Sequence, residues 1–469
     1  MRINSESAIS AVRQLSDRIF VHESPRILKL RCTVKFFIPL ILILISCSGA
    51  EKETENIFDP RPLNDAVIAA LRDAENTGYI VLDAKSGEVL CEHNCSSRFI
   101  PASATKLITL FSSHRVLGSD RRFRTRVMYT GEIVDGSVNG ALYLVGGCDP
   151  LLTSDDLRQL ADKVVKSGIR KITGPCCYDD SMLQDVLKAN PLRGLTSLCI
   201  SYDYSKIEAK RQGVPAKTVP PLAAKEDPPF FLSGDNSGFL TSPPSFVPAK
   251  QTALFFFNEL ARGGVKGGSP SRKRVPADAK ELVSIISEPL VMMYPEILFY
   301  SINHSSELIY AMTLAQNPQA MRDLPAMSGQ PNGQGGSLIV CGSGLSSKNR
   351  LSPRLLADVL LQCYITNFSG VSIRTLLDPF GQGYSVRGRL NAEQSAGISA
   401  KTGSLAYSLS LCGYADTASG REIIFVIMAT DFAMRKSYEA GQIPAIPAAQ
   451  WQQQHLDDQA DFLRLIKLL

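Results

Sequence analysis

Pro101-Ala102-Ser103-Ala104-Thr105-Lys106-Leu107-Ile108-Thr109 is the stretch on which the reading of this chain turns. Pro101 can open a helix, because the N–H it lacks is one that a helix start leaves unused. Leu107, Ile108, Leu110 and Phe111 carry the helix on to about Leu117, and Gly118 supplies a stop. Ser103 and Lys106 stand three residues apart and therefore share a helix face. A serine hydroxyl is a poor nucleophile until a base takes its proton, and a lysine can be that base once burial lowers its pKa. This is the only S-x-x-K in the chain. An exposed helix face would show the same pair, but the apolar residues that follow predict a buried helix. A buried Lys is costly without partners.

Lys401-Thr402-Gly403 is likewise the only K-T-G. It directly precedes an apolar run from Leu405, so it reads as the start of an edge strand. Gly403 would let a ligand backbone come close. Lys401 offers a positive charge and Thr402 a hydroxyl to a substrate carboxylate. A plain turn into a strand would use the same three residues.

Working outward, Leu63 to Ala74 has helical spacing, and Tyr79–Leu82 with Glu88–Leu90 forms a hairpin across Lys85-Ser86-Gly87. Val127 to Val145 alternates like strands. From Gly146 the texture becomes rich in Pro and Gly, with helical patches at Ser154–Ser167 and Thr252–Arg262. Leu282 to Ile285 returns as a strand, and helical patterns follow at Tyr294–Ala315 and Ser352–Tyr364. Leu405–Tyr414 and Glu422–Ala429 form a second hairpin around Ser419-Gly420. Strands at both ends with helices between predict one sheet assembled from distant parts of the sequence. The expected division is a leader at 1–46 and a tether at 47–60. A split catalytic domain follows at 61–145 and 282–445, with an insertion at 146–281 and a tail at 446–469.

With 469 residues, 44% hydrophobic and 20% charged, the chain has the composition of two or three folded units. The net charge of +5 lies mostly in the leader, where Arg2, Arg13, Arg18, Arg26, Lys29, Arg31 and Lys35 face Glu6, Asp17 and Glu23. A nucleic-acid role gains no support from charge placed there. Lys266, Arg272, Lys273 and Arg274 sit among Gly, Ser and Pro and read as a solvated loop. The five histidines are scattered and no H-E-x-x-H occurs, which speaks against a metallopeptidase. Cys91 and Cys95 flank His93 but have no second pair at zinc spacing, so they read as a disulfide or as free thiols. Lys29, Arg31 and Lys35 precede the apolar run Phe36–Ile45, about half the length of a membrane span. That run ends in Leu44-Ile45-Ser46-Cys47, which resembles the lipobox of bacterial lipoproteins. The resemblance implies acylation of Cys47 and a lipid-anchored place on the periplasmic side of the bacterial cell envelope.

S-x-x-K, S-x-N and K-T-G in that order mark the serine penicillin-recognising enzymes. The chain resembles one branch of them, the low-molecular-mass D-alanyl-D-alanine carboxypeptidase/endopeptidases. Five segments carry the likeness: Pro101-Ala102-Ser103 with Lys106-Leu107-Ile108-Thr109; Gly146-Gly147-Cys148-Asp149-Pro150; Asp179-Asp180-Ser181; Gly342-Ser343-Gly344-Leu345-Ser346; and Ala400-Lys401-Thr402-Gly403-Ser404-Leu405. Ser301-Ile302-Asn303 fits the middle motif, with Glu307 four residues after Asn303. Ser306-Glu307-Leu308 is a rival register that puts Leu308 where an amide is needed, so the first is preferred. Two positions depart from the family pattern: Cys341 stands where Asp usually precedes G-S-G, and Cys148 where Gly is usual.

The resemblance implies an α/β (α+β) transpeptidase-like fold, with an antiparallel sheet flanked by helices and a large inserted domain. It implies acyl transfer at a D-alanine-containing peptide of peptidoglycan, with β-lactams as inhibitors and no metal or cofactor. Ser103 would be the nucleophile, Lys106 the general base, Ser301 a proton relay, and Asn303 the holder of Lys106 and of the substrate amide. Lys401 and Thr402 would bind the terminal carboxylate, and the N–H groups of Ser103 and Ser404 would form the oxyanion hole. A β-lactamase or esterase on the same scaffold, or a catalytically weak wall-binding lipoprotein, are the alternatives; Cys341 favours the latter.

Overall fold

Asp83 begins the first turn of the fold: its Oδ1 accepts the N–H groups of Lys85 and Ser86 at 2.9 and 2.8 Å. Gly87 follows at φ +74°, a conformation that suits glycine. The turn joins β1 (Thr77–Asp83) to β2 (Val89–His93) as an antiparallel hairpin. The computed structural model describes residues 61–469 except 183–195, 201–247, 323, 325–336, 380, 382, 384–385, 387–388 and 443–444. The expected leader, the tether and Cys47 lie outside the described residues.

Before the hairpin stands α1 (Arg61–Ala70); after it a 3-10 turn, Ala102–Ala104, leads into α2 (Thr105–Leu117). Then come β3 (Arg124–Tyr129), β4 (Glu132–Val134), β5 (Ser137–Asn139), β6 (Leu142–Val145), α3 (Ser154–Lys166), β7 (Lys171–Ile172), β8 (Cys176–Asp179), α4 (Pro248–Arg262), β9 (Ser271–Arg272) and β10 (Lys280–Ile286). Helices α5 (Leu290–Phe299), α6 (Asn303–Gln316), α7 (Pro353–Ile365), α8 (Ile373–Leu377) and α9 (Ala392–Ser395) precede β11 (Ile398–Leu405), β12 (Ser408–Asp416) and β13 (Glu422–Thr430). The chain closes with α10 (Phe432–Glu439) and α11 (Ala445–Ile466).

The main sheet has the order β11-β12-β13-β1-β2 and is antiparallel throughout. Its centre joins the two ends of the fold: Thr77 pairs with Ala429 and Asp83 with Ile423. β13 reads as a nearly unbroken apolar run because both faces of the sheet are covered. Ile424, Val426 and Met428 belong to one core with Leu356 and Leu360 of α7 and Leu107 and Ile108 of α2. On the opposite face, Phe425 and Tyr79 meet Phe462 of α11. Residues 446–469, expected as a tail, therefore form most of a helix that covers one face of the sheet. Nothing but an amphipathic stripe marks such a helix in a sequence.

A second sheet has the order β10-β3-β6-β8-β9, and β4, β5 and β7 make a third. The strands at 124–129 and 142–145, expected in the catalytic part, pair with β10 at 280–286 and with β8 of the expected insertion. Strand partners so far apart leave no local mark in the sequence. Arg272 of the basic cluster is exposed, as a solvated segment requires, and pairs with Asp180, Nε to Oδ1 at 2.6 Å.

The helical pattern at Tyr294–Ala315 is two helices. Ile302 N–H reaches Ile297 O at 3.0 Å and Ser301 N–H reaches Leu298 O at 3.3 Å, with Ser301 at φ +55°. That is a Schellman stop with serine in the position where glycine is usual, so the break carries no glycine signal. Among the described residues, Cys91, Cys95, Cys148, Cys176, Cys177, Cys199, Cys341, Cys363 and Cys412 are all free thiols, and no helix is long and apolar enough to cross a membrane.

Candidate active site

Ser103 lies in the 3-10 turn at the mouth of α2, between Ala102 at φ +46° and the buried first turn of the helix. Thr105 Oγ1 donates to Ala102 O at 2.8 Å and secures the turn. Lys106 is 1% exposed. Its Nζ stands 3.0 Å from Ser103 Oγ, 2.7 Å from Asn303 Oδ1 and 2.7 Å from Ser343 O. Burial, and then the Lys401 charge, hold the Lys106 pKa well below the usual lysine value. A neutral amine has two protons and one lone pair. Asn303 Oδ1 and Ser343 O can only accept, so they take both protons. The lone pair is then left for the Ser103 hydroxyl, the arrangement a general base requires.

The cradle under Lys106 is built by Gly342-Ser343-Gly344. Thr109 Oγ1 donates to Gly342 O at 2.8 Å. Gly344 adopts φ +85°, and a Cβ there would fall 1.7 Å from Ala102 O, so only glycine lets this loop press against the nucleophile turn. Glu307 is fully buried; its Oε1 accepts Ser343 N–H at 2.7 Å and Ser343 Oγ–H at 2.5 Å. Asn349 donates to Thr105 Oγ1 at 3.2 Å and to Cys341 O at 3.1 Å, which ties the loop to α2. Cys341 Sγ accepts from Ser346 N at 3.3 Å and from Asn349 Nδ2 at 3.5 Å. Burial pushes this thiol up to about 12. The residue at the place of the family's Asp thus remains a neutral acceptor inside the loop.

β11 forms the other wall. Lys401-Thr402-Gly403 lies inside this edge strand, not at its start, and the apolar run beyond Leu405 belongs to β12. A Cβ on Gly403 would meet Ser410 Oγ at 2.2 Å, Pro101 O at 2.7 Å and Ala104 N at 3.0 Å. The backbone admitted by Gly403 is therefore the chain's own nucleophile turn, where a ligand was expected. Lys401 shares the Gly403 face by strand periodicity. It is buried, donates to Thr402 O at 2.9 Å, and is lowered to about 8, first by burial. Thr402 is half-buried. Ser404 is exposed and receives Gln452 Nε2 from α11 on its hydroxyl.

The structure brings Ser103, Lys106 and Asn303 together, from segments about 200 residues apart. Ser301 lies two residues before Asn303, half-buried, at the break between α5 and α6. Ser306, the first residue of the rival register, is buried and returns its hydroxyl to Ile302 O at 2.7 Å. Ser343, Asn349 and Gly344 escaped sequence reasoning as individuals, although Gly-Ser-Gly was quoted. A backbone carbonyl carries no residue signature.

The sequence profile of the D-Ala-D-Ala carboxypeptidase 3 (S13) family matches residues 63–192 and 240–453. The chain belongs to this family. Among its relatives, a D-alanyl-D-alanine carboxypeptidase of Actinomadura sp. is 33% identical over 152 residues, 31% of this chain and 27% of that enzyme. A carboxypeptidase of Mycobacterium tuberculosis is 26% identical over 392 residues, 78% of each chain. A D-alanyl-D-alanine carboxypeptidase of Haemophilus influenzae is 21% identical over 410 residues, 76% of this chain and 85% of that one. The crystal structure of penicillin binding protein 4 from H. influenzae superimposes with a TM-score of 0.57 at 17% identity, covering 86% of this chain and 98% of its own. That likeness shows the fold: an antiparallel sheet flanked by helices, with an additional inserted part.

Proposed function

We propose that this S13 protein is a serine D-alanyl-D-alanine peptidase that acts on peptidoglycan stem peptides through an acyl-enzyme on Ser103. The observation that carries the reading is the pair of carbonyl acceptors on Lys106, which leaves its lone pair to Ser103. Lys106 takes the hydroxyl proton as Ser103 Oγ attacks the D-alanine carbonyl. The N–H groups of Ser103 and Ser404 receive the developing oxyanion. Ser301 passes a proton to the leaving amine, and Asn303 orients both Lys106 and the substrate amide. Lys401 and Thr402 hold the terminal carboxylate, and water then releases the acyl group. The basic flank, apolar run and Cys47 at the N-terminus support lipid anchoring at the periplasmic face of a bacterial envelope. Digestion of purified peptidoglycan tests the reaction. Release of D-alanine or cleavage of D-alanine cross-links is expected; unchanged peptidoglycan with rapid hydrolysis of a β-lactam would replace this reading with a β-lactamase.

The middle motif gives a first prediction. Asn303→Ala removes one of the two acceptors that orient Lys106. A lost hydrogen bond to an ionisable group costs about 1.5–3 kcal/mol, so labelling by a fluorescent penicillin slows about ten- to hundred-fold. Ser306→Ala leaves the rate near its wild-type value, because it loses only a bond back to its own helix. Equal rates for the two variants would restore the rival register.

The second prediction is a pH profile. On the acid side the rate rises as Lys106 loses its proton. On the alkaline side a carboxylate-bearing substrate loses its partner as Lys401, lowered to about 8, becomes neutral. An uncharged ester retains the acid limb and lacks the alkaline one. Lys401→Gln slows the carboxylate substrate about ten- to hundred-fold at pH 7 and slows the ester less, since the ester loses only the help of the Lys401 charge in keeping Lys106 unprotonated. Identical profiles for acid and ester would make Lys401 a structural residue.

A further inference from the structure

Two carbonyls fix the Lys106 amine, and both trace back to one helix. Asn303 supplies the first from its own side chain. The second belongs to Ser343, whose backbone position is gripped by Glu307 through both the N–H and the hydroxyl. Asn303 and Glu307 stand four apart on α6 and therefore on one face. Gly344, lodged against Ala102 O, restrains the same loop from the other side.

We infer that Glu307 is a positioning residue of the reaction: it holds the Ser343 carbonyl on Lys106, so that one face of α6 sets where the base points its lone pair. The inference rests on Lys106 as the base. Glu307 acts through Ser343, whose N–H and hydroxyl it accepts. Its negative charge also favours the protonated amine, against burial and Lys401, which favour the neutral form. Glu307 therefore contributes a position and a charge, and the two can be separated.

The test uses the full-length protein with 15N-labelled lysine side chains, the Lys106 resonance being assigned with a Lys106→Met variant. Penicillin acylation rates are measured against pH in parallel. Glu307→Gln is expected to acylate about ten- to hundred-fold more slowly at pH 7. The Lys106 titration and the acid limb of its rate profile should move together to lower pH. Ser343→Ala loses one tie to Glu307 but keeps the charge, so its rate falls while its acid limb stays in place. The double variant is no slower than Glu307→Gln, because both changes cut one connection. A wild-type rate and an unmoved Lys106 titration in Glu307→Gln would overturn the inference, as would fully additive losses. Should Glu307→Gln not fold, a wild-type rate in Ser343→Ala would overturn it. A protein that takes up no penicillin while its Lys106 titration still moves with Glu307→Gln would sink the peptidase reading and leave the role of Glu307 standing.

Discussion

Ser103→Ala yields a folded protein that forms no covalent penicillin adduct. The substitution removes one oxygen from a turn whose neighbours, Ala102 and Ala104, are already alanines. Lys106 keeps its bonds to Asn303 and Ser343 and loses only the third. One such bond is worth about 1 kcal/mol net in a folded chain, so the melting temperature moves by a few degrees at most. Acylation, by contrast, has no other route. Thr105 Oγ1 is tied to Ala102 O, and Ser343 Oγ is tied to Glu307. Intact-mass measurement after incubation with a penicillin reads the result directly. An adduct of undiminished yield on the alanine variant would move the nucleophile elsewhere.

Lys106→Met separates chemistry from stability. The methionine fills nearly the same volume without a proton-accepting nitrogen, and loss of a general base lowers acylation by about 10²–10⁴-fold. Two terms of opposite sign decide the stability. Removing a buried amine relieves a desolvation cost, and replacing buried charged groups by apolar ones is often neutral or stabilising by about 1–4 kcal/mol. Against this, Asn303 Oδ1 and Ser343 O lose their donor, at about 1–3 kcal/mol each. The terms nearly cancel, and the variant folds. Because folding lowers the lysine pKa, the wild-type chain carries this cost at every pH below the unfolded lysine value. The cost is full below the lowered folded-state pKa and fades as pH rises from there to the unfolded lysine value. The stability of the methionine variant relative to wild type should therefore be greatest on the acid side of the folded-state pKa and shrink toward the unfolded lysine value, as denaturant titrations at several pH values would read. An inactive variant that is also unfolded would mean that Lys106 serves the fold as well as the chemistry.

Much of this site was legible because its side chains announce themselves. Ser103 and Lys106 sit at helix spacing, Lys401-Thr402-Gly403 lies on an edge strand, and Gly118 ends α2 as expected. What the sequence hid is carried by backbone or by distant pairing. Ser343 acts through its carbonyl, which any residue possesses. Ser301 holds a left-handed helix stop without glycine, so two helices read as one. The pairing of β3 with β10 joins residues about 160 apart, and no local pattern reports it. Gly403 was recognised as a point of close approach, but the approaching backbone is Pro101–Ala104.

That β3–β10 pairing also bears on how the chain finds its fold. The central strands β1 and β13 are about 340 residues apart along the chain, and on contour length alone this is a slow closure. Once β3 and β10 are zipped, Phe123 and Ser287 stand side by side, joined by Ser287 N–H to Phe123 O at 2.9 Å and Phe123 N–H to Ser287 Oγ at 2.9 Å. The intervening chain then drops out of the loop to be closed, leaving it about half as long. Halving a flexible loop saves only about 0.6 kcal/mol of closure entropy, which is also why so large an insertion is tolerated. Were β3 and β10 to pair first, the insertion would act as a staple in time, slightly shortening the search for the sheet that carries Lys401.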